Sequence, residues 1–268
     1  MKINSKRPKL SVITVNYNNI IGLGNTIKSV IYQDFDDLEF LVIDGGSTDG
    51  SKELIEMYNA EIDYSISEPD NGIFHAMNKG IHAAKGEYCL FLNSGDVLFN
   101  QHTVKNVFSG IDNQDIIYGN VIKVKAHHRR LIKYSSKLTL YEFYKTEPAL
   151  HHQASFIKKQ LFADYGFYDE SVKIIADWEF FFRTIILNDA TIKYLNQTIC
   201  VFDGTGLSNS LSLGTKLRIE ANLIKENILK KYFPDYILDD YKTMESILSS
   251  RSLLKKIINK ISYFSFKR

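Results

Sequence analysis

The chain is poor in the residues that staple or stiffen a small protein: its 268 residues include two cysteines, four prolines and one tryptophan. Cys89 and Cys200 are too few for a disulfide framework and stand at no metal-ligand spacing. Both fall inside apolar, strand-like segments and are read as core thiols. No apolar run approaches the roughly 20 residues that span a bilayer, and residues 1–8 carry no apolar signal stretch, so a cytoplasmic, soluble protein is expected. Internal repeats and low-complexity tracts are absent, which excludes solenoid and fibrous architectures. The last stretch, residues 251–268, holds Arg251, Lys255, Lys256, Lys260, Lys267 and Arg268 with no Asp or Glu. A formal net charge of +2 calls for no nucleic-acid partner, and a chain 44% hydrophobic and 24% charged can build one large domain or one domain with an appendage.

What the chain does have is a series of short apolar segments that end on polar residues. Leu10-Ser11-Val12-Ile13-Thr14-Val15 runs into Asn16-Tyr17-Asn18, Phe40-Leu41-Val42-Ile43 stops at Asp44, and Cys89-Leu90-Phe91-Leu92 stops at Asn93-Ser94-Gly95-Asp96. Such segments read as buried strands delivering polar groups to one edge of a sheet, where open α/β folds bind ligands. Ile20, Leu23, Ile27, Val30 and Ile31 recur at helical spacing between the first two. The turn Gly45-Gly46-Ser47-Thr48-Asp49-Gly50 offers Thr48 or Asp49 as cap of a helix through Leu54, Ile55 and Tyr58. Tyr64-Ser65-Ile66 reads as a short strand and Glu68-Pro69-Asp70-Asn71-Gly72 as a turn. A helix with Ile73, Ala76, Met77 and Ile81 then closes near Gly86 before the strand Tyr88 to Leu92. Strand and helix in alternation predict a parallel sheet.

Beyond residue 100 the pattern loosens. It predicts a short helix from Val104 to Phe108, a strand from Asp115 to Val124, a basic loop from Ala126 to Arg130 and a helix from Leu138 to Tyr144. Further on it predicts a helix over Trp178 to Leu187, a strand over Thr191 to Val201, and a helix from Leu213 to Phe233 with Leu217, Ala221, Ile224 and Ile228 on one face. His151-His152 precedes the apolar Ala154-Ser155-Phe156-Ile157. On a strand adjacent histidines face opposite ways, so at most one of them reaches a metal, and His152 is the candidate.

Several ordered segments together resemble the family 2 glycosyltransferases, inverting enzymes of the nucleotide-sugar-binding GT-A fold. They are residues 11–18, Val42-Ile43-Asp44-Gly45-Gly46-Ser47-Thr48-Asp49-Gly50, Glu68-Pro69-Asp70-Asn71-Gly72-Ile73, Ala76-Met77-Asn78-Lys79-Gly80, Phe91-Leu92-Asn93-Ser94-Gly95-Asp96 and Ala176-Asp177-Trp178-Glu179. The likeness runs from about Leu10 to Gly206 and is greatest to the bacterial subgroup that assembles O-antigen, capsule and related surface polysaccharides. It implies an α/β fold with a mostly parallel central sheet flanked by helices over residues 1–210, followed by a helical extension over 211–268.

The resemblance also implies roles. Tyr17 would border or stack on the base, with Thr14 and Val15 in the pocket wall and Asp44 accepting from the nucleoside. Asp70, Asn78, Lys79 and Asn93 would lie near the ribose and diphosphate. Asp96 would be the metal ligand, since a hard carboxylate suits Mg2+ or Mn2+ bridging two phosphates. Asp177 would be the general base that takes the acceptor proton, and His152, Trp178 and Glu179 would border the acceptor or sugar. The chain departs from the family at three places: Asn93-Ser94-Gly95-Asp96 replaces an Asp-X-Asp stretch, Gly45 replaces a second aspartate that contacts the base, and Asn16 stands where proline is common. Metal affinity and base selectivity therefore stay open.

The implied activity is hexosyl transfer from a nucleotide-sugar, expected to be a UDP-sugar, to a glycan or lipid-linked acceptor. Processive polymer synthases carry Gln-X-X-Arg-Trp and membrane helices, and no arginine precedes Trp178. No Gly-X-Gly-X-X-Gly follows the first strand, which disfavours a dinucleotide oxidoreductase. A catalytically impaired nucleotide-sugar-binding subunit is the alternative. In the tail, Leu253, Leu254, Ile257, Ile258, Ile261 and Phe264 recur at helical spacing among lysines, a pattern suited to an anionic membrane surface or to packing on protein. A homo-oligomer is left open.

Overall fold

The computed structural model describes residues 7–110, 113–125, 128–144, 149–204 and 213–233. Its first half alternates β1 (Leu10–Asn16), α1 (Ile20–Ile31), β2 (Leu38–Asp44), α2 (Ser51–Met57), β3 (Tyr64–Ser67), α3 (Ile73–Ala83) and β4 (Tyr88–Asn93). These four strands are parallel in the order β3-β2-β1-β4. The two-residue period of the strands divides their side chains between two cores. Ile13, Val15, Leu41, Ile43, Cys89 and Phe91 face Phe74, Met77 and Ile81 of α3. Leu10, Val12, Phe40, Val42, Leu90 and Leu92 face Leu23, Ile27 and Val30 of α1 and Ile55 of α2. Each buried Val, Leu or Ile contributes about 1.5–3 kcal/mol, and the unpartnered hydroxyl of Thr14 costs roughly 1–3 kcal/mol, so β1 is strongly favoured inside. Cys89 and Cys200 are both buried free thiols, and burial pushes Cys89 up to about 12.

The second half completes the sheet with β5 (Val97–Leu98), α4 (Thr103–Phe108), β6 (Ile116–Lys125), β7 (His128–Ile132), α5 (Leu140–Tyr144), β8 (Ser155–Lys158), α6 (Gln160–Tyr165), α7 (Ala176–Phe181), β9 (Ile192–Asp203) and α8 (Leu213–Tyr232). The strand order is β3-β2-β1-β4-β8-β6-β9-β5 with β7 on β6. β6 and β9 are parallel, while β8, β5 and β7 pair antiparallel. The expected α/β architecture with helices on both faces is present. Ala221, Ile224, Ile228 and Leu229 of α8, with Phe233 just after it, pack on the α3-side core, so this helix is part of the body.

Four local expectations need correction. The basic stretch is not a loop at 128–130, where the chain forms the exposed edge strand β7; residues 126 and 127 lie outside the described residues. His151 is extended, but His152 begins a 3-10 turn, His152–Ala154, so the two histidines do not alternate across a strand. α2 is capped by neither Thr48 nor Asp49 but begins after Gly50, whose φ of 92° is left-handed. Asp49 instead accepts from Ser51 N and from Ile20 N, tying together the starts of α2 and α1. Finally, α7 passes at Phe182 into a π turn, Phe182–Ile186, and ends there. The amphipathic tail 251–268 lies outside the described residues.

Candidate active site

Parallel pairing sets the site. Asn16 lies opposite Asp44, Val15 opposite Asn93 and Asp44 opposite Ser67, so the ends of β1, β2, β3 and β4 place their polar residues side by side. Asp44 is buried and fully engaged. It accepts from Asn16 Nδ2 at 2.7 Å, Ser47 Oγ at 2.5 Å, Ser47 N at 2.9 Å and Ser67 Oγ at 2.6 Å. Burial pushes this carboxyl up, but the hydrogen bonds from Ser47, Ser67 and Asn16 hold it below its ordinary value. Four bonds saturate a carboxylate. In this structure Asp44 therefore shapes the strand edge, where the expectation had it accepting directly from a nucleoside.

Tyr17 follows β1 and is 66% exposed, with its ring open at this edge. The carbonyls of Val15 and Asn16 are taken by Ser94 N and Gly45 N, and Thr14 is wholly buried. Asp70 reaches in from the turn before α3: a Cβ on Gly45 would lie 2.6 Å from Asp70 Oδ2 and 3.2 Å from Tyr17 Cδ2. Lys79 Nζ pairs with Glu68 at 2.7 Å and donates to Pro69 O at 3.3 Å, which holds that turn. Asn78 was expected near the nucleotide. Its amide is instead committed to Tyr168 O, Glu170 and Tyr168 N, because it lies buried where α3 meets the 168–170 loop.

The turn after β4 is held by a residue on α1. Thr26 Oγ1 accepts from Gly95 N at 2.9 Å and donates to Asp96 O at 2.8 Å. The Asp96 side chain is 2% exposed, and its Oδ2 accepts from Asn93 N at 3.2 Å. Among the described residues no three His, Cys, Asp or Glu side chains are grouped to hold a metal ion. A lone carboxylate fits a Mg2+-like cation held chiefly by diphosphate oxygens and water.

Asp177 lies in the first turn of α7 and is joined to β4 through His152. His152 Nδ1 stands 2.9 Å from Asp177 Oδ2, while Asn93 Nδ2 stands 3.3 Å from His152 Nε2. With Nδ1 protonated, His152 donates to the carboxylate and accepts from the amide. Both its nitrogens are then engaged, so it has none left for a metal. Trp178 N donates to Asp177 Oδ1 at 2.9 Å. Burial raises the Asp177 carboxyl, but the hydrogen bonds from His152 and the Trp178 amide outweigh it and hold the group below its ordinary value. His151, bonded through Nδ1 to Tyr134 Oη, is pushed by burial down to about 4 and stays neutral.

Trp178 and Glu179 differ from the expectation. Trp178 is 5% exposed, donates to Phe143 O, stacks on Phe182 at 5.3 Å and has Lys225 Nζ 5.1 Å from its ring, so it presents no open face to a sugar. Glu179 pairs twice with Arg183, whose remaining donors hold the 165–167 turn. Other residues had gone unnoticed. Ser47 stands three residues after Asp44, an ordinary turn spacing. Thr26 shares the apolar face of Leu23 and Ile27, and Lys225 interrupts the stripe of Ala221, Ile224 and Ile228, and a polar residue on a buried face was the available signal.

A mostly parallel sheet flanked by helices, with its polar edge at the strands' C-terminal ends, defines a nucleotide-binding α/β protein of the GT-A kind. Residues 11–166 match glycosyl transferase family 2. The chain belongs to that family and is a glycosyltransferase. It is 32% identical over 207 residues to an uncharacterized glycosyltransferase of Mycobacterium tuberculosis, covering 75% of this chain and 78% of that one. It is 26% identical over 211 residues to a PGL/p-HBAD biosynthesis glycosyltransferase of Mycobacterium bovis, covering 76% and 80%. Among solved structures, S. aureus TarS 1-349 in complex with UDP-GlcNAc superposes with a TM-score of 0.66 at 21% identity, covering 87% of this chain and 70% of that one. The mannosyltransferase PcManGT from Pyrobaculum calidifontis, in complex with GDP-Man and Mn2+, gives 0.63 at 16% identity, covering 86% and 66%. A further structure of S. aureus TarS is matched over 42% of its chain. At these identities the structural likeness speaks for the fold. Among the described residues no helix is long and apolar enough to cross a membrane.

Proposed function

We propose that this glycosyltransferase is inverting and non-processive, moving one sugar from a UDP-sugar to a hydroxyl of a glycan or lipid-linked acceptor in bacterial surface polysaccharide synthesis. One observation carries the reading: a half-buried carboxylate, Asp177, is fixed by His152, whose far nitrogen meets Asn93 at the polar edge of the sheet. In this reading Asp177 is the proton acceptor beside the ends of the strands, aimed by groups that do not themselves react. Tyr17 stacks on the base and Asp44 keeps the edge in shape. Asp177 takes the hydroxyl proton as the oxygen attacks the anomeric carbon and the diphosphate leaves from the opposite face. Mg2+ or Mn2+ at Asp96 would supply the positive charge that neutralises the departing diphosphate. TarS bound to UDP-GlcNAc supports a uridine donor, and PcManGT bound to GDP-Man and Mn2+ supports a cation. Residues 1–210 form the transferase unit in this reading. Residues 211–268 form an extension that α8 anchors, with the basic tail on the inner face of the plasma membrane.

The test is nucleotide release from UDP-GlcNAc and GDP-mannose with and without EDTA. Asp177→Asn should lower release about 10²- to 10⁴-fold while UDP still binds, and Asp96→Ala should abolish the response to cation. Release by Asp177→Asn at the wild-type rate would refute the base assignment. Donor binding with no release to any hydroxyl acceptor would return the binding-subunit reading.

A further inference from the structure

We infer that the ribbon formed by β6 and β7 docks the protein on an anionic bilayer, with the candidate active site's edge of the sheet turned toward the lipid. The inference goes beyond the transfer reaction and does not depend on the donor. Residues 116–141 contain no Asp or Glu, yet they hold Lys123, Lys125, Arg129, Arg130, Lys133 and Lys137. Strand pairing crowds these charges. Lys123 lies opposite Arg130 and Lys125 opposite His128, so four basic residues share one face, while Arg129 lies opposite Val124 on the other. Cations placed directly across a strand pair repel, and an anionic surface relieves that repulsion. Lys125 and Arg129 are exposed, and among the described residues neither forms a hydrogen bond or ion pair.

Register also fixes where the ribbon stands. Through Ile157 of β8, Ile116 is level with Cys89 of β4, and β6 and β4 run the same way. Asn120 is thus level with Asn93 at the end of β4, and residues 121–125 continue past the site's edge by about 16 Å at about 3.3 Å per residue. The base of the ribbon adjoins the site: Lys123 Nζ is 5.3 Å from the centre of the Phe202 ring, which is 5.5 Å from the His151 ring. Protecting an edge strand from pairing with another chain takes charge of either sign, so it does not account for one sign throughout. A soluble polyanion would leave the ribbon's apolar groups in water. Leu131, 47% exposed, lies opposite Ile122 on the face that Val124 shares, and none of the three belongs to either core. The interface of an anionic bilayer takes basic and apolar side chains together.

The test is cosedimentation of the full chain with vesicles of phosphatidylcholine, alone and with about one third phosphatidylglycerol, at low salt and at about 0.5 M NaCl, where charge attraction is screened. The wild type should bind the phosphatidylglycerol vesicles at low salt and lose most of that binding at high salt. The double variant Lys125→Glu, Arg129→Glu should bind them about 25-fold more weakly or less, at about fivefold for each basic residue near the surface. Melting curves and UDP binding on the same preparations verify that the variant is folded and that its donor site is intact. A variant that binds as the wild type does would overturn the inference and leave the contact to residues 251–268. A wild type that ignores phosphatidylglycerol but binds inorganic polyphosphate would overturn it in favour of a soluble, phosphate-bearing partner, and a wild type that binds neither would overturn it outright. None of these results touches the transferase reading, which stands or falls on nucleotide release.

Discussion

Replacing His152 with alanine tests whether that side chain sets the protonation of Asp177. In the wild type the folded protein binds the Asp177 proton less readily than the unfolded chain, because the His152 and Trp178 bonds outweigh burial. The stabilisation is therefore present above the unfolded value of about 4 and is lost as pH falls through the lower folded value. Without His152 the carboxylate keeps the hydrogen bond from the Trp178 amide. A hydrogen bond to a charged group is worth about 1.5–3 kcal/mol, and its loss raises the Asp177 carboxyl from its lowered position. The stability that the ionised carboxylate contributes above the unfolded value shrinks accordingly. Nucleotide release followed from pH 3.5 to 8 should show an acid limb displaced to higher pH in the variant. Chemical denaturation should show the variant losing less stability than the wild type between pH 7 and pH 4. An acid limb that stays in place, with a uniform fall in rate, would mean that His152 acts otherwise than through the Asp177 carboxylate.

Thr26→Val should destabilise the chain by about 1–3 kcal/mol, the cost of leaving buried partners unbonded, because Gly95 N and Asp96 O both lose the hydroxyl; denaturant titration checks this, and a fall in cation response should accompany it. Gly80→Ala should cost about 1–3 kcal/mol by overpacking, since its Cβ would collide with Ile13 Cγ2 where α3 crosses the sheet. A melting temperature within a degree of the wild type would show that α3 can move away at no cost.

The first half of the fold was legible because its strands and helices follow their own periods, and because βαβ units leave one economical topology. β5 was missed because two residues carry no period, and β7 because Arg129 and Arg130 on an exposed edge look the same in a strand as in a loop. The polar strand ends marked the site, yet residue type alone did not distinguish a group that binds from one that holds. Asp44 and Asn78 have the chemistry of ligand contacts, but their neighbours Ser47, Ser67 and Tyr168 take up their bonding capacity. Trp178 reads as a sugar platform until the packing of Phe182 and Lys225 against it is known. The link from Asp177 to His152 spans residues far apart in the chain, and no local pattern announces it.

The register that sets Asn16 against Asp44 and Val15 against Asn93 also governs when the site comes into being. The hydrogen bonds that pair β1 with its two neighbours are the same ones that bring these polar ends together. A slip of one residue would turn every side chain of a strand to the opposite core. The site's floor therefore forms in the same cooperative event as the sheet, and a partly folded chain has none of it. Amides of β1 should consequently be among the slowest to exchange with solvent, and any opening that exposes them abolishes donor binding at the same moment.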